Sequence, residues 1–234
     1  MTSVIHALAL ETSGRIGSVA LVEDGGVVAE EQFPHGLQHA ARIIVAIDSL
    51  CRARGRQPKD LAELYVSIGP GSFTGLRIGV TVAKTLALAT GLKIVAVPTV
   101  VVLAENAPKE ARHLIVVLDA KRGQIFTARF EQTDSGWTQR EPAHLDTLAA
   151  MLERSPRPVH LLGEGLPYHA GGDGVATPPE SWRARAGAVA KLGWDLARRG
   201  MFADPLRLLP LYVRPPEAEE KLGERRTSAA AKRE

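Results

Sequence analysis

The sequence predicts an α/β chain of two related lobes, each a mixed sheet flanked by helices, followed by a polar tail. Three observations carry that expectation. Apolar runs suited to buried strands alternate with stretches of helical periodicity. Across residues 1–100 the order is three strands, a helix, a strand, a helix and a strand. The opening strand-turn-strand unit then recurs from Leu114.

Taken in order, His6 to Leu10 is an apolar run, and Ser18 to Glu23 and Val27 to Glu31 are strands joined at the turn Asp24-Gly25-Gly26. A helix is expected from Gln38 to Arg54, with Ala40, Ile43, Ile44, Ile47 and Leu50 at helical spacing and Gly55 and Pro58 to stop it. Leu64 to Ile68 is a short strand, Thr74 to Thr90 a second helix ending at Gly91, and Ile94 to Val97 a strand closed by Pro98. Such a meander followed by helical crossovers is the order of an actin-like, ribonuclease-H-like lobe, a fold-level analogy. In the second half, Leu114 to Leu118 ends in Asp119, Gly123 follows, and the chain returns as the strand Gln124 to Phe130. Ala7 to Leu10, ending in Glu11 before Gly14, Gly17 and the strand from Ser18, has the same plan. Further expectations are a helix Thr147 to Glu153, a strand Val159 to Leu162, a helix Arg183 to Arg199 and a strand near Leu211 to Arg214. The Gly- and Pro-rich stretch Gly163 to Pro179 reads only as a loop. The expected lobes are 1–100 and 101–215, with a disordered tail at 216–234.

Composition excludes several classes. The 234 residues are 45% hydrophobic and 24% charged, ordinary for a folded protein with a sizeable core. Aromatics are only 5%, so aliphatic residues must build that core. Cys51 is the single cysteine, so no internal disulfide forms and a reducing, cytoplasmic setting is expected. Val4 to Leu10 lacks a basic flank, is too short to span a bilayer and runs into Glu11, so no signal peptide or membrane anchor is expected there. Between Glu217 and Glu234, the acids Glu217, Glu219, Glu220, Glu224 and Glu234 balance Lys221, Arg225, Arg226, Lys232 and Arg233. The net charge of +3 therefore belongs to the folded part. That excess is too small to argue for autonomous RNA binding.

The most distinctive stretch is Ser67-Ile68-Gly69-Pro70-Gly71-Ser72-Phe73-Thr74-Gly75-Leu76-Arg77-Ile78-Gly79, between a strand and a helix. Its glycines permit unusual backbone angles, Ser72 or Thr74 can cap the helix, and Arg77 lies one turn in. The Walker pattern fails, because no Lys-Ser/Thr pair follows the last glycine. A looser dinucleotide fingerprint is present, but no acidic residue ends the next strand. Gly75, Gly79, Ala83 and Ala87 recur every four residues as a ridge of small residues. Sequence leaves two uses open for that ridge: packing inside the chain, or a helix contact with a second protein. His35 and His39 have ligand spacing, but His35 lies between Pro34 and Gly36, and no metal is expected. No nucleophile elbow surrounds Ser72 or Thr74, and Cys51 reads as a packing residue.

The segment Gly69 to Gly79 resembles the signature of the bacterial TsaB (YeaZ) proteins. The resemblance extends over nearly the whole chain, through Glu11-Thr12-Ser13, His39, Leu118-Asp119-Ala120-Lys121-Arg122-Gly123 and Leu209-Pro210-Leu211-Tyr212-Val213-Arg214. It implies a duplicated actin-like fold and a non-catalytic platform subunit. Such a subunit pairs with a catalytic paralogue, TsaD, and with an ATPase, TsaE, for threonylcarbamoylation of the adenosine beside the anticodon in tRNAs reading codons that begin with A. The resemblance also implies a partner face on the first two helices and the loop between, carrying His39, Ile43, Gly71, Ser72, Phe73, Thr74, Gly75, Arg77, Gly79 and Ala83. That face can also form homodimers, and tRNA is expected only within the complex. Glu11, Thr12, Ser13 and Asp119 would form degenerate cleft turns. The Asp-x-Gly turns of ATP-using relatives are altered here, and Glu11 departs from the Asp more usual in the family, so no cofactor and little or no ATP binding are expected. The alternatives are an autonomous ATP-dependent phosphotransferase of this superfamily, a peptidase or inactive glycopeptidase homologue, and a dinucleotide enzyme.

Overall fold

Strand β1 (His6–Glu11) is buried along its whole length. A strand covered on both faces belongs in the middle of a sheet. It pairs antiparallel with β2 (Ile16–Glu23), which returns through Asp24-Gly25 as β3 (Gly26–Pro34). Both turn residues are left-handed, with φ of 45° and 83°, as a two-residue hairpin turn requires. On its other side β1 pairs in parallel with β4 (Glu63–Ser67), and β4 with β5 (Lys93–Val97). Helices α1 (His39–Ala53) and α2 (Phe73–Thr90) make the crossovers that parallel pairing demands. The computed structural model describes residues 4–34, 39–169 and 172–214, without the side chains of residues 34 and 39–41. The His35–His39 spacing and the tail from residue 216 therefore lie outside the description.

The second sheet repeats the plan. Strands β6 (His113–Asp119), β7 (Ile125–Thr133) and β8 (Gly136–Asp146) form an antiparallel meander. After helix α4 (Leu148–Glu153), β9 (His160–Leu162) and β10 (Val175–Ala176) add in parallel beside β6. Both five-stranded sheets thus run third, second, first, fourth, fifth. This is the duplicated actin-like lobe that the element order predicts. The lobes differ between β9 and β10: where the first lobe has α2, the described residues of the second form a single helical turn at Leu166–Tyr168.

Packing follows strand alternation. On β1 and β2, Leu8, Leu10, Val19 and Leu21 face α1 and α2, whereas Ala7, Ala9, Ala20 and Val22 face the interior between the sheets. There they meet α5 (Ala186–Arg198), which buries Ala186, Val189, Ala190, Gly193 and Ala197. Small residues on both sides let α5 lie close to the sheet; a Cβ on Gly193 would sit 2.3 Å from the Tyr65 ring. The orphan amide of Ala186 donates to the buried Ser18 Oγ at 2.8 Å, which joins the α5 N-terminus to β2. Helix α3 (Thr99–Ala104) shares this central core and contacts the second sheet. The outer face of that sheet packs Ile115, Val117, Val159 and Leu161 on α4.

Several elements differ from expectation. Residues 211–214 form no strand: Pro210 interrupts any ladder, and Leu211 N donates one bond, 2.7 Å, to Ile68 O. Helix α5 begins at Ala186 rather than Arg183. Sequence periodicity does not reveal α3, which is short and β-branched, nor β8, a polar edge strand, nor the two-residue β10.

Gly193→Val is expected to destabilise the fold by about 1–3 kcal/mol through overpacking on Tyr65. Urea or thermal unfolding measures it, and an unchanged midpoint would contradict the close approach of α5.

Candidate functional site

The distinctive loop owes its glycines to contacts inside this chain. Ser72 caps α2 by accepting a 3.2 Å bond from Gly75 N, and Ser72 N donates to Ser13 O at 2.7 Å. A Cβ on Gly71 would be 2.5 Å from Ser13 O, and one on Gly75 only 2.0 Å from Thr12 O. One on Gly79 would be 2.3 Å from Thr12 Oγ1. The start of α2 therefore lies directly on the turn that follows β1. No larger residue fits at these positions unless that turn moves.

This arrangement corrects part of the reading of the partner face. Gly75, Gly79 and Ala83 are buried within the chain, and so is Ile43, which packs in the core beneath α1. A ridge of small residues permits close approach, and here the chain's own first turn and sheet make that approach. Phe73, Thr74 and Arg77 are exposed, Gly71 and Ser72 are half-buried, and the His39 side chain is not described.

The turns named from sequence do meet across a cleft. Ser13, Gly71 and Ser72 line it from the first lobe, Asp119 and Lys121 from the second, around about 290 Å³. Glu11 does not point a free carboxylate into it. Its Oε1 accepts bonds from Ser13 N and Ser13 Oγ, both 2.5 Å, and the side chain is fully buried. Burial pushes the Glu11 pKa above its ordinary value, the Ser13 and Ser67 hydroxyls and the Ser13 amide oppose that rise, and the Glu164 carboxylate adds to it. Asp119 is set the other way. Partial burial works to raise its pKa, but bonds from the Lys121 side chain and amide and from His169 hold it below the usual carboxylate value. Those bonds are 2.5 Å from Lys121 Nζ, 3.0 Å from Lys121 N and 3.2 Å to His169 Nε2. Lys121, Arg122 and Gly123 are consecutive left-handed residues, which makes this turn tight.

Sequence reasoning named Lys121 only as part of the turn after β6 and missed Arg15, Glu164 and Tyr168 as cleft residues. The Arg15 guanidinium bonds the Tyr168 hydroxyl, and Lys121 Nζ stands 5.4 Å from the centre of the same ring. Among the described residues, no group of three or more His, Cys, Asp or Glu side chains could hold a metal ion.

A second surface lies on the outer side of α1 and α2. Ile44 (50% exposed), Val45 (67%) and Leu88 (65%) are large apolar side chains in water. Phe73 is exposed at the start of α2, at the opposite end of the helix from Leu88, its ring 5.1 Å from that of Tyr212 and its centre 4.6 Å from the Arg77 guanidinium. Helical spacing counted Ile44 with the core, but one sheet-facing stripe cannot bury Ile43, Ile44 and Val45 together. Among the described residues, no helix is long and apolar enough to cross a membrane.

Known proteins match this architecture. Residues 16–169 match the family model of TsaD, tRNA N6-adenosine threonylcarbamoyltransferase. The tRNA threonylcarbamoyladenosine biosynthesis protein TsaB of Bacillus subtilis (strain 168) is 33% identical over 224 residues, covering 92% of this chain and 96% of that protein. The protein of the same name from Escherichia coli (strain K12) is 33% identical over 135 residues, 56% of this chain and 58% of its own length. The solved structure of YeaZ from Pseudomonas aeruginosa superposes with a TM-score of 0.76 at 22% identity, covering 89% of this chain and 99% of that one, and so shares its fold.

The elevated Glu11 pKa fixes the sign of a pH effect. A carboxyl whose folded pKa is raised contributes stability below its unfolded pKa and loses it as pH rises through the folded value. Glu11→Gln, which keeps an acceptor for Ser13 without the charge, is therefore expected to gain stability relative to the parent as pH rises from 4 to 8. Urea midpoints across that range measure the gap; a gap that narrows with rising pH would contradict the assignment.

Proposed function

The chain belongs to the TsaB family of tRNA threonylcarbamoyladenosine biosynthesis proteins, and from that premise we propose that it is a non-catalytic platform subunit of the threonylcarbamoylating complex. On this reading it binds a TsaD-like catalytic paralogue and works with a TsaE-like ATPase. The product is threonylcarbamoyladenosine next to the anticodon of tRNAs that read codons beginning with A, and tRNA is engaged within the complex. The setting is cytoplasmic. In the absence of the paralogue, the same face pairs two copies of this chain.

The observation that carries this reading is the outer surface of α1 and α2. Ile44, Val45, Phe73 and Leu88 expose large apolar side chains along α1 and α2, two helices in contact, and Arg52 and Arg77 are exposed on the same helices. Exposed apolar side chains with arginines among them are features that protein interfaces share. The cleft supports the accessory role: Glu11 is folded back onto Ser13, and Glu164 already bonds the backbone of the first-lobe turn. The partner face is accordingly built from exposed Ile44, Val45, Phe73, Thr74, Arg77 and Leu88.

Two substitutions separate this face from the buried ridge. Val45→Arg is expected to weaken association with the organism's own TsaD at least about tenfold while leaving the melting midpoint unchanged. Gly79→Arg is expected to unfold the chain, because its side chain would enter the space of Thr12. Calorimetric titration and thermal melts measure both. Full-affinity binding by folded Val45→Arg would move the interface elsewhere.

A further inference from the structure

The two lobes differ in what covers the outer face of their fourth strand. In the first lobe α2 lies over Leu64 and Val66 of β4 with Val80, Ala83 and Ala87. In the second, the described residues between β9 and β10 form only the helical turn Leu166–Tyr168, and Leu161 of β9 lines a cavity of about 350 Å³. Leu148 of α4, Leu166 and Trp182 add apolar walls, and Gly172 and Gly174 line it without side chains. Leu161 and Leu148 belong to the core on α4, so the cavity opens on the face of the second sheet turned away from the core between the sheets. A mostly apolar hollow of this size suits a small molecule.

Its walls are held in place by the chain itself. Trp182 Nε1 donates to Thr177 O at 2.8 Å, and Thr177 is tied to β9 by bonds of 2.9 and 3.0 Å from its N and Oγ1 to Leu161 O. Asn106 Nδ2, just after α3, donates to the carbonyls on either side of the tryptophan, Ser181 O at 3.0 Å and Arg183 O at 2.7 Å. Arg157 holds the residue between the two glycines, Asp173, by a bidentate pair of 2.9 and 2.6 Å. Side chains fixed in this way lose little freedom when a ligand binds. Among the lining residues His169 carries the one titratable side chain, and it is only 9% exposed. Its Nε2 is 3.2 Å from Asp119 Oδ1. An ionised carboxylate only accepts, so Nε2 carries the hydrogen, and in the neutral ring Nδ1 keeps a lone pair. Nδ1 has no hydrogen-bond partner among the described residues.

We propose that this cavity binds a small uncharged molecule with a planar apolar body and one hydrogen-bond donor, the body resting against Trp182 and the leucines and the donor on His169 Nδ1. An apolar body gains by leaving water and by meeting the indole ring. A carboxylate or phosphate would lose its hydration among walls that offer no fixed charge in return. The lone pair then chooses among apolar bodies, because one that covers Nδ1 without donating leaves a buried acceptor unpaired. The cavity shares no lining residue with the cleft between the lobes or with the exposed face of α1 and α2. The site is therefore independent of the platform reading and is measured on the isolated chain.

The test titrates the full chain with three planar bicyclic probes: indole, with one N–H donor; benzofuran, with an oxygen acceptor in its place; and indole-3-carboxylate, with an added charge. Binding is read at mildly alkaline pH from the Trp182 indole N–H signal in NMR spectra of isotope-labelled protein, assigned by its loss in Trp182→Phe. Indole is expected to move that signal with a Kd of about a millimolar or tighter. Benzofuran should bind at least about fivefold more weakly, and the carboxylate more weakly than indole. His169→Phe, which keeps a ring and removes the acceptor, should bring indole and benzofuran to equal affinity, with circular dichroism to check that it folds. If it does not fold, the parent's preference for indole over benzofuran carries the test. A Trp182 signal that millimolar indole leaves unmoved would overturn the proposal. So would benzofuran or the carboxylate binding the parent as tightly as indole, or a preference for indole that survives in folded His169→Phe.

Discussion

The Thr12 carbonyl lies where a side chain on Gly75 would begin, and the Thr12 hydroxyl lies where one on Gly79 would begin. This contact between the first turn of the chain and the first turns of α2 sets much else. It explains why the loop from Gly69 is rich in glycine, because the backbone of one segment must rest on the backbone of another. It draws Ser72 N onto Ser13 O and so brings the α2 N-terminus to the cleft wall. It also turns the small-residue ridge inward, which leaves Phe73, Arg77 and Leu88 on the outside of the helix. The buried and the exposed sides of α2 are thus consequences of one steric constraint.

A similar economy of size governs the joint between lobes. Alanines on β1 and β2 face alanines and a glycine on α5, while leucines face α1 and α2 on the other side of the same strands. The second half of the chain therefore reaches back to cover the first sheet at close range. The lobes repeat one topology but not one inventory, since the turn Leu166–Tyr168 stands where the first lobe has an eighteen-residue helix. That shortening places Glu164 and Tyr168 at the cleft rim.

The duplicated fold was legible because its signals are local: apolar runs for β1 and β6, a left-handed turn at Asp24-Gly25, a serine cap and a glycine stop on α2. The polar edge strand β8 and the short α3 carry no such period, and a proline hides the irregular path of residues 211–214. The cleft was half legible. Glu11, Thr12, Ser13 and Asp119 sit at strand ends, where the repeat pointed. Glu164 was not legible, because its place depends on Gly163 and Gly165 packing against Val117 and Asp119, contacts distant in sequence. The burial of Ile43, Gly75, Gly79 and Ala83 was not legible for the same reason: spacing reports which residues share a helical stripe, not which stripe meets the sheet. Ile43 and Ile44 differ by one position, yet one is wholly buried and the other half exposed.

On the proposed reading the chain assists catalysis without performing it. The most direct measurement is threonylcarbamoylation of tRNA in vitro with the organism's own enzyme set, with and without this chain. Loss of product on omission, together with no product from the chain alone, is the predicted result. Full product in its absence, or product formed by the chain alone, would contradict the platform role.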